Sequence, residues 1–357
     1  MTRTPRRRPP THSRPAGAAV APSPPRAGAV AAARHPLRRR PRLALVAALA
    51  GALALWLAAT HVTAAPVGHF RSAQGRDRYL AAYDRALARL PDPAEIRDVR
   101  TAYGVVRLYR YAGARPGGVP LLLLPGSASG SPVWGDDVPS FLADRDVWTL
   151  DLLGEPGRSI QDRPIRDAAD QAAWLDEAIA AVAPRVHLVG MSFGGWTAAN
   201  LTTRRPARVA SLTLLEPVLV FADLRLEVIA RSIPASVPWL PKAWRDDFAS
   251  WTAGGAPLQD DPVAQMIEAG MQGYQIATPP PARLDEAALA AIRVPALVVL
   301  GGRSPMHDAQ EASATARRVL PAARVVVLPD GTHAVNGEYS EAIAAAVRDL
   351  TAADATR

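Results

Sequence analysis

The chain has 357 residues, of which 49% are hydrophobic and 21% charged, and its formal net charge is +8. It contains no cysteine, which excludes disulfides, thiolate metal sites and a cysteine nucleophile. Residues 1–42 carry eleven arginines and no acid, so the basic balance belongs to this tail and the rest is slightly acidic. With no basic patch in sight on the folded part, nucleic acid is not an expected partner.

The Pro-, Arg- and Ala-rich tail 1–42 has no apolar periodicity, which predicts disorder. Leu43 to Thr60 follows as 18 residues without a charge. As a helix it would be about 27 Å long, near the thickness of a hydrocarbon core. Arg38, Arg39, Arg40 and Arg42 stand directly before it. By the positive-inside rule they keep the N-terminus in the cytoplasm and the folded part outside it, on a single-pass membrane helix. The alternative is a signal peptide cleaved after Val62-Thr63-Ala64, giving a secreted chain. Residues 61–95 read as a linker containing an amphipathic helix, Arg78 to Leu90.

Residues 96–352 read as one α/β domain. Ile96 to Thr101 and Val105 to Tyr111, parted by Tyr103-Gly104, predict a hairpin. Strands are expected at Val119 to Leu124, Val147 to Leu152, Val186 to Val189, Ala210 to Leu215, Ala296 to Leu300 and Arg324 to Leu328. Helices are expected at Trp134 to Asp144, Asp167 to Val182, Trp196 to Leu201, Ala309 to Leu320 and Glu341 to Leu350. Such alternation predicts a mostly parallel sheet covered on both faces. The stretch of about 221–285 breaks the rhythm with Trp239, Trp244, Trp251, Met266 and Met271, and is expected to be a helical lid over the strand ends.

Gly190-Met191-Ser192-Phe193-Gly194 spells G-x-S-x-G between a strand and a helix. That context predicts a serine lifted on a sharp turn, with free helix N–H groups beside it. Ser192 needs a base within hydrogen-bond reach. Of the seven histidines, His12 and His35 lie in the tail, His61 and His69 flank the apolar segment, and His187 lies inside a strand. His307 and His333 remain, and His333 follows the last strand on the loop Pro329-Asp330-Gly331-Thr332. It is the preferred general base.

With Pro125-Gly126-Ser127 after the third strand and Gly331-Thr332-His333 after the last, residues 97–352 resemble the α/β-hydrolase superfamily. The resemblance implies an eight-stranded sheet and acyl transfer by a serine, an acid and a histidine in that order. It also implies an acid in a G-x-x-D segment after the seventh strand. Here that segment reads Gly301-Gly302-Arg303-Ser304, with serine at the acid's place. Glu216, closing the sixth strand, is preferred instead, as in some members of the superfamily. Asp308 is the alternative, although it also suits the N-cap of the following helix, with Glu311 as capping-box partner. The oxyanion donors expected are the backbone N–H groups of Phe193 and Ser127, with Ala128 the alternative for the second. Trp134, Phe193, Trp196 and the lid aromatics are candidates for an acyl pocket or simply for core.

Asp151 and Glu155 also follow a strand at the same face, but a glycosidase pair there would leave the serine turn without a purpose. No cofactor or metal is expected. The reading is a membrane-anchored serine hydrolase, a carboxylesterase cleaving a small-molecule ester. An aminopeptidase, a thioesterase or a carbon–carbon bond hydrolase would use the same triad. The alternative from another class is a non-catalytic ligand-binding protein on the same scaffold.

Overall fold

The computed structural model describes residue 51, residues 65–115, 117–235, 242–255 and 260–352. The basic tail and the apolar segment Leu43 to Thr60 lie outside these, except for Gly51, as does Trp239. Among the described residues no helix is long and apolar enough to cross a membrane.

The hairpin forms from β1 (Glu95–Thr101) and β2 (Gly104–Tyr111), antiparallel and in register from Glu95 opposite Arg110 to Thr101 opposite Gly104. β3 (Leu121–Leu124), β4 (Val147–Leu150), β5 (Val186–Met191), β6 (Val209–Leu215), β7 (Ala296–Gly301) and β8 (Arg324–Leu328) complete the sheet. Across the sheet the order is β1-β2-β4-β3-β5-β6-β7-β8, and a two-residue strand at Ile160–Gln161 adds to β2. β4, β3, β5, β6, β7 and β8 run parallel to one another, and β2 meets β4 antiparallel.

The apolar strands are continuous because both faces are buried. In β7, Val298 and Leu300 join one core, while Leu297 and Val299 join the other. The first face is covered by α2 (Ala168–Val182), α3 (Phe193–Arg204) and α7 (Ala309–Val319). The opposite face is covered by α1 (Ala73–Leu87), α6 (Pro262–Gly273) and α8 (Ser340–Thr351). α4 (Leu226–Ala235) and α5 (Lys242–Thr252) precede α6 in the excursion between β6 and β7.

Two elements differ from the sequence expectation. The helix expected at Trp134 to Asp144 is a 3₁₀ turn, Ser131–Trp134, followed by a single helical turn, Val138–Phe141. Pro132, Gly135 and Pro139 punctuate that stretch and prevent a longer run. The helix read inside a linker starts earlier, at Ala73, where the Ser72 hydroxyl accepts from the Gly75 N–H at 3.0 Å. It buries Tyr79, Ala82, Tyr83 and Ala86 in the core. α1 and α6 approach closely where two glycines meet: a Cβ on Gly75 would lie 3.4 Å from the Gly273 Cα, in ordinary contact.

Candidate active site

The β5–α3 turn is built on contact as much as on sequence. A Cβ on Gly190 would sit 2.3 Å from the Gly194 carbonyl oxygen, and one on Gly194 would sit 2.3 Å from that of Leu124. Only glycine fits at either position. Between them Ser192 has φ 53° and ψ −118°, a left-handed conformation that costs a non-glycine residue about 1–3 kcal/mol. The neighbouring strand end holds it there: the Ser192 N–H donates to the Leu215 carbonyl at 2.9 Å. Its own carbonyl accepts from the Trp196 N–H at 3.1 Å.

The parallel register brings the partners to the same edge. Met191, before the serine, lies opposite Leu215, before Glu216, and Leu215 in turn pairs with Val299 of β7. His333 lies on the loop after β8, which pairs with β7. Three segments distant in sequence thus end side by side. The His333 Nε2 is 2.9 Å from the Ser192 Oγ, and the His333 Nδ1 is 3.2 Å from the Glu216 Oε2.

Proton positions follow from the acid. Glu216 has no exposed surface, and burial alone would raise its carboxyl. The hydrogen bond and charge of His333, helped by His307 and by the Ser304 hydroxyl, outweigh that and hold it below the usual glutamate range. An ionised carboxylate can only accept, so the Nδ1 carries the imidazole proton and donates to Glu216. Nε2 is left as an acceptor for the serine hydroxyl. The second Glu216 oxygen accepts from the Gly301 N–H at 2.5 Å, with the His307 Nε2 3.7 Å away. Burial pulls His307 down, towards its neutral form.

Asp308 lies elsewhere. Its carboxylate caps α7, accepting from the Gln310 and Glu311 N–H groups at 2.9 and 3.0 Å. These bonds, the one from Glu311 foremost, lower its carboxyl. Ser304, at the position where the resemblance expects the acid, is buried, and its hydroxyl is among the groups that lower the Glu216 carboxyl. That departure from the expected pattern is the sequence signal that the acid stands elsewhere, and nothing in the sequence marks His307 as a neighbour of Glu216.

The loop after β3 reaches the serine. A Cβ on Gly126 would lie 3.5 Å from the Ser192 Cβ. Among the described residues, no backbone hydrogen bond outside the regular elements uses the N–H of Phe193 or of Ser127. The Ala128 N–H is engaged, donating to the Glu155 carboxylate at 2.8 Å, so it is not available to a ligand.

A cavity of about 330 Å³ opens at His333 and Met191. Val133, Phe248, Val263, Ile267 and Met271 form its apolar walls, the last four from the excursion between β6 and β7. Ion pairs stand at its margins: Arg89 with Asp136 and Asp261, and Lys242 and Arg245 with Glu268. Of the aromatic candidates, Trp134 is fully buried core. Phe193 and Trp196 stack at 5.7 Å and line a separate cavity of about 410 Å³ beside Pro279 and Pro280. His187 is a strand residue, its Nδ1 2.9 Å from the Ser211 Oγ. Among the described residues no group of three or more His, Cys, Asp or Glu side chains could hold a metal ion.

Comparison with known proteins gives a consistent result. A family model described as the alpha/beta hydrolase family matches residues 121–346. The carboxylesterase YbfK of Bacillus subtilis is 23% identical over 281 residues, covering 76% of this chain and 93% of that protein. The crystal structure of naproxen esterase from Bacillus subtilis superposes with a TM-score of 0.72 at 20% identity, covering 78% of this chain and 99% of that one. A meta-cleavage product hydrolase from Pseudomonas fluorescens IP01 superposes with a TM-score of 0.60 at 16% identity, covering 72% of this chain and 97% of that one. At such identities the superpositions speak for the fold alone.

Proposed function

From the premise that the chain belongs to the alpha/beta hydrolase family and is a serine hydrolase, we propose that it is a carboxylesterase acting through an acyl-enzyme on Ser192. The observation that carries this reading is the unbroken hydrogen-bond chain Ser192–His333–Glu216 at 2.9 and 3.2 Å. Ser192 Oγ attacks the ester carbonyl carbon while its proton passes to the His333 Nε2. Glu216 keeps the imidazole in the required tautomer and stabilises the imidazolium. The N–H groups of Phe193 and Ser127 stabilise the oxyanion, each worth about 3 kcal/mol. Collapse breaks the carbon–oxygen bond, and the imidazolium returns its proton to the leaving alcohol. Water then attacks the acyl carbon, giving a proton to the His333 Nε2, and the second collapse breaks the bond to the Ser192 Oγ, which takes that proton back as the acid departs.

The test is covalent labelling. A fluorophosphonate probe should label the wild type and not Ser192→Ala, which should also lose ester turnover. Well-folded wild-type protein that takes no label would refute the esterase and favour a ligand-binding protein.

The excursion between β6 and β7 is a lid in this reading, since its side chains wall the cavity that meets His333. The substrate is a small ester with an apolar acyl group. The apolar segment Leu43 to Thr60 is a membrane anchor, supported by its length and by the arginines before it, with the hydrolase domain outside the cytoplasm. Fractionation of full-length protein between membrane and supernatant tests the anchor.

A further inference from the structure

Two buried carboxylates on the loop after β4, Asp151 and Glu155, have no part in the proton relay. Both grip the loop after β3 that carries Ser127. Asp151 accepts from the Ser131 N–H at 2.8 Å at the far end of that loop, and from the Tyr83 hydroxyl and the Arg158 N–H at 3.0 and 2.7 Å. Glu155 holds the near end: one carboxylate oxygen accepts from the Ser127 hydroxyl at 3.0 Å and from the Ala128 N–H at 2.8 Å.

The near end is where the backbone is strained. Ala128 has φ 56°, a left-handed value that a residue with a Cβ seldom adopts unless its surroundings compel it. Between the strained Ala128 and Gly126 against Ser192 stands Ser127, whose N–H has no backbone partner among the described residues. We infer that Glu155 is a positioning residue for the oxyanion hole. By engaging the Ala128 N–H and the Ser127 side chain, it fixes the turn so that only the Ser127 N–H is presented to the reacting carbonyl.

A structural carboxylate could be placed almost anywhere along this loop, but this one takes up the hydroxyl of the very residue whose backbone is the donor. Its environment is costly for an acid. Burial raises Glu155 to about 7, and its two hydrogen bonds only partly offset that. Tyr79 of α1 and Tyr274 after α6 feel its charge, and among the described residues no ion pair engages it.

This inference rests on the esterase reading, and the experiment separates the two. Three variants are compared with wild type on p-nitrophenyl butyrate, with thermal melts to confirm folding. Glu155→Ala removes the grip, Glu155→Asp keeps the charge but withdraws it by one methylene, and Glu155→Gln keeps the length and an accepting oxygen. The expected result is a fall in kcat of about tenfold to a hundredfold for Asp and Ala, with KM within about twofold, and Gln within about threefold of wild type. Affinity for a trifluoromethyl ketone, whose adduct with Ser192 puts an oxyanion in the hole, should fall in parallel with kcat. A merely structural role would lower the melting temperature without that parallel. Should Glu155→Ala not fold, the Asp and Gln pair decides alone. Glu155→Asp with wild-type kcat and unchanged ketone affinity overturns the inference while the esterase stands. A wild type with neither labelling nor turnover overturns both.

Discussion

Glu216 is an ionised carboxylate with no exposed surface, and such a group persists only where hydrogen bonds replace its lost hydration. Gly301 and His333 supply them. Under the proposed mechanism, Glu216→Gln keeps the shape but removes the charge that would stabilise the imidazolium, and the amide can hold the wrong tautomer. Its kcat on a p-nitrophenyl ester should fall by about 10³–10⁴. Asp308→Ala makes the contrast. It removes the cap of α7, so the melting temperature should drop by the equivalent of about 1 kcal/mol while kcat stays within about twofold. The reverse pattern would transfer the acid's role to Asp308. The sequence leaves these two carboxylates in competition because it does not show which strand end lies beside which. The pairing of Leu215 with Val299 and the hydrogen bond between His333 and Glu216 exist only once the sheet is assembled.

Regular elements are the most legible part of this chain, for a physical reason. β5 and β7 are buried on both faces, so they read as apolar runs, and the turn at Ser192 is sterically limited to glycine on both sides. Trp134 to Asp144 is less legible, since Gly135 and Pro139 sit inside an otherwise helix-like composition. The excursion between β6 and β7 shows only its aromatic richness in sequence, and which of its side chains face the site is decided by packing. Phe248, Ile267 and Met271 do, with His333 and Met191. A cavity of about 150 Å³ holds a benzene ring, so one of about 330 Å³ suits an apolar group of roughly twelve heavy atoms. Each methylene buried there is worth about 0.8 kcal/mol, or nearly fourfold in kcat/KM. Activity on p-nitrophenyl esters should therefore climb with acyl length and then level off near that size. Met271→Trp, which fills the cavity from α6, should move the plateau to shorter chains while leaving acetate turnover within about twofold. Unchanged length dependence would mean that the acyl group lies elsewhere.

Seen as a whole, the folded unit begins before the hairpin. α1 covers the sheet face opposite α2 and α3, Tyr79 and Tyr83 have no exposed surface, and the Tyr83 hydroxyl donates to Asp151 at 3.0 Å. Burying an aromatic side chain of this size contributes about 1.5–3 kcal/mol, so the two tyrosines account for a large part of a stability that is typically 5–15 kcal/mol. The strand pair formed by His69–Phe70 with Tyr274–Gln275 fastens the same segment to the end of α6. Truncation thus has two different expected outcomes. A chain starting at residue 65 keeps α1 and all of the catalytic candidates, and should melt and turn over ester as the full chain does. A chain starting at residue 91 opens one face of the sheet, frees Asp151 from its tyrosine, and should fail to give a cooperative melt. The first truncation also tests the anchor, because deleting residues 1–64 should move activity from the membrane fraction to the supernatant without changing kcat. Full-length protein already in the supernatant with its N-terminus intact would refute the anchor, and supernatant protein beginning near Ala65 would replace it with a cleaved signal. A folded, active chain from residue 91 would return α1 to the status of a linker.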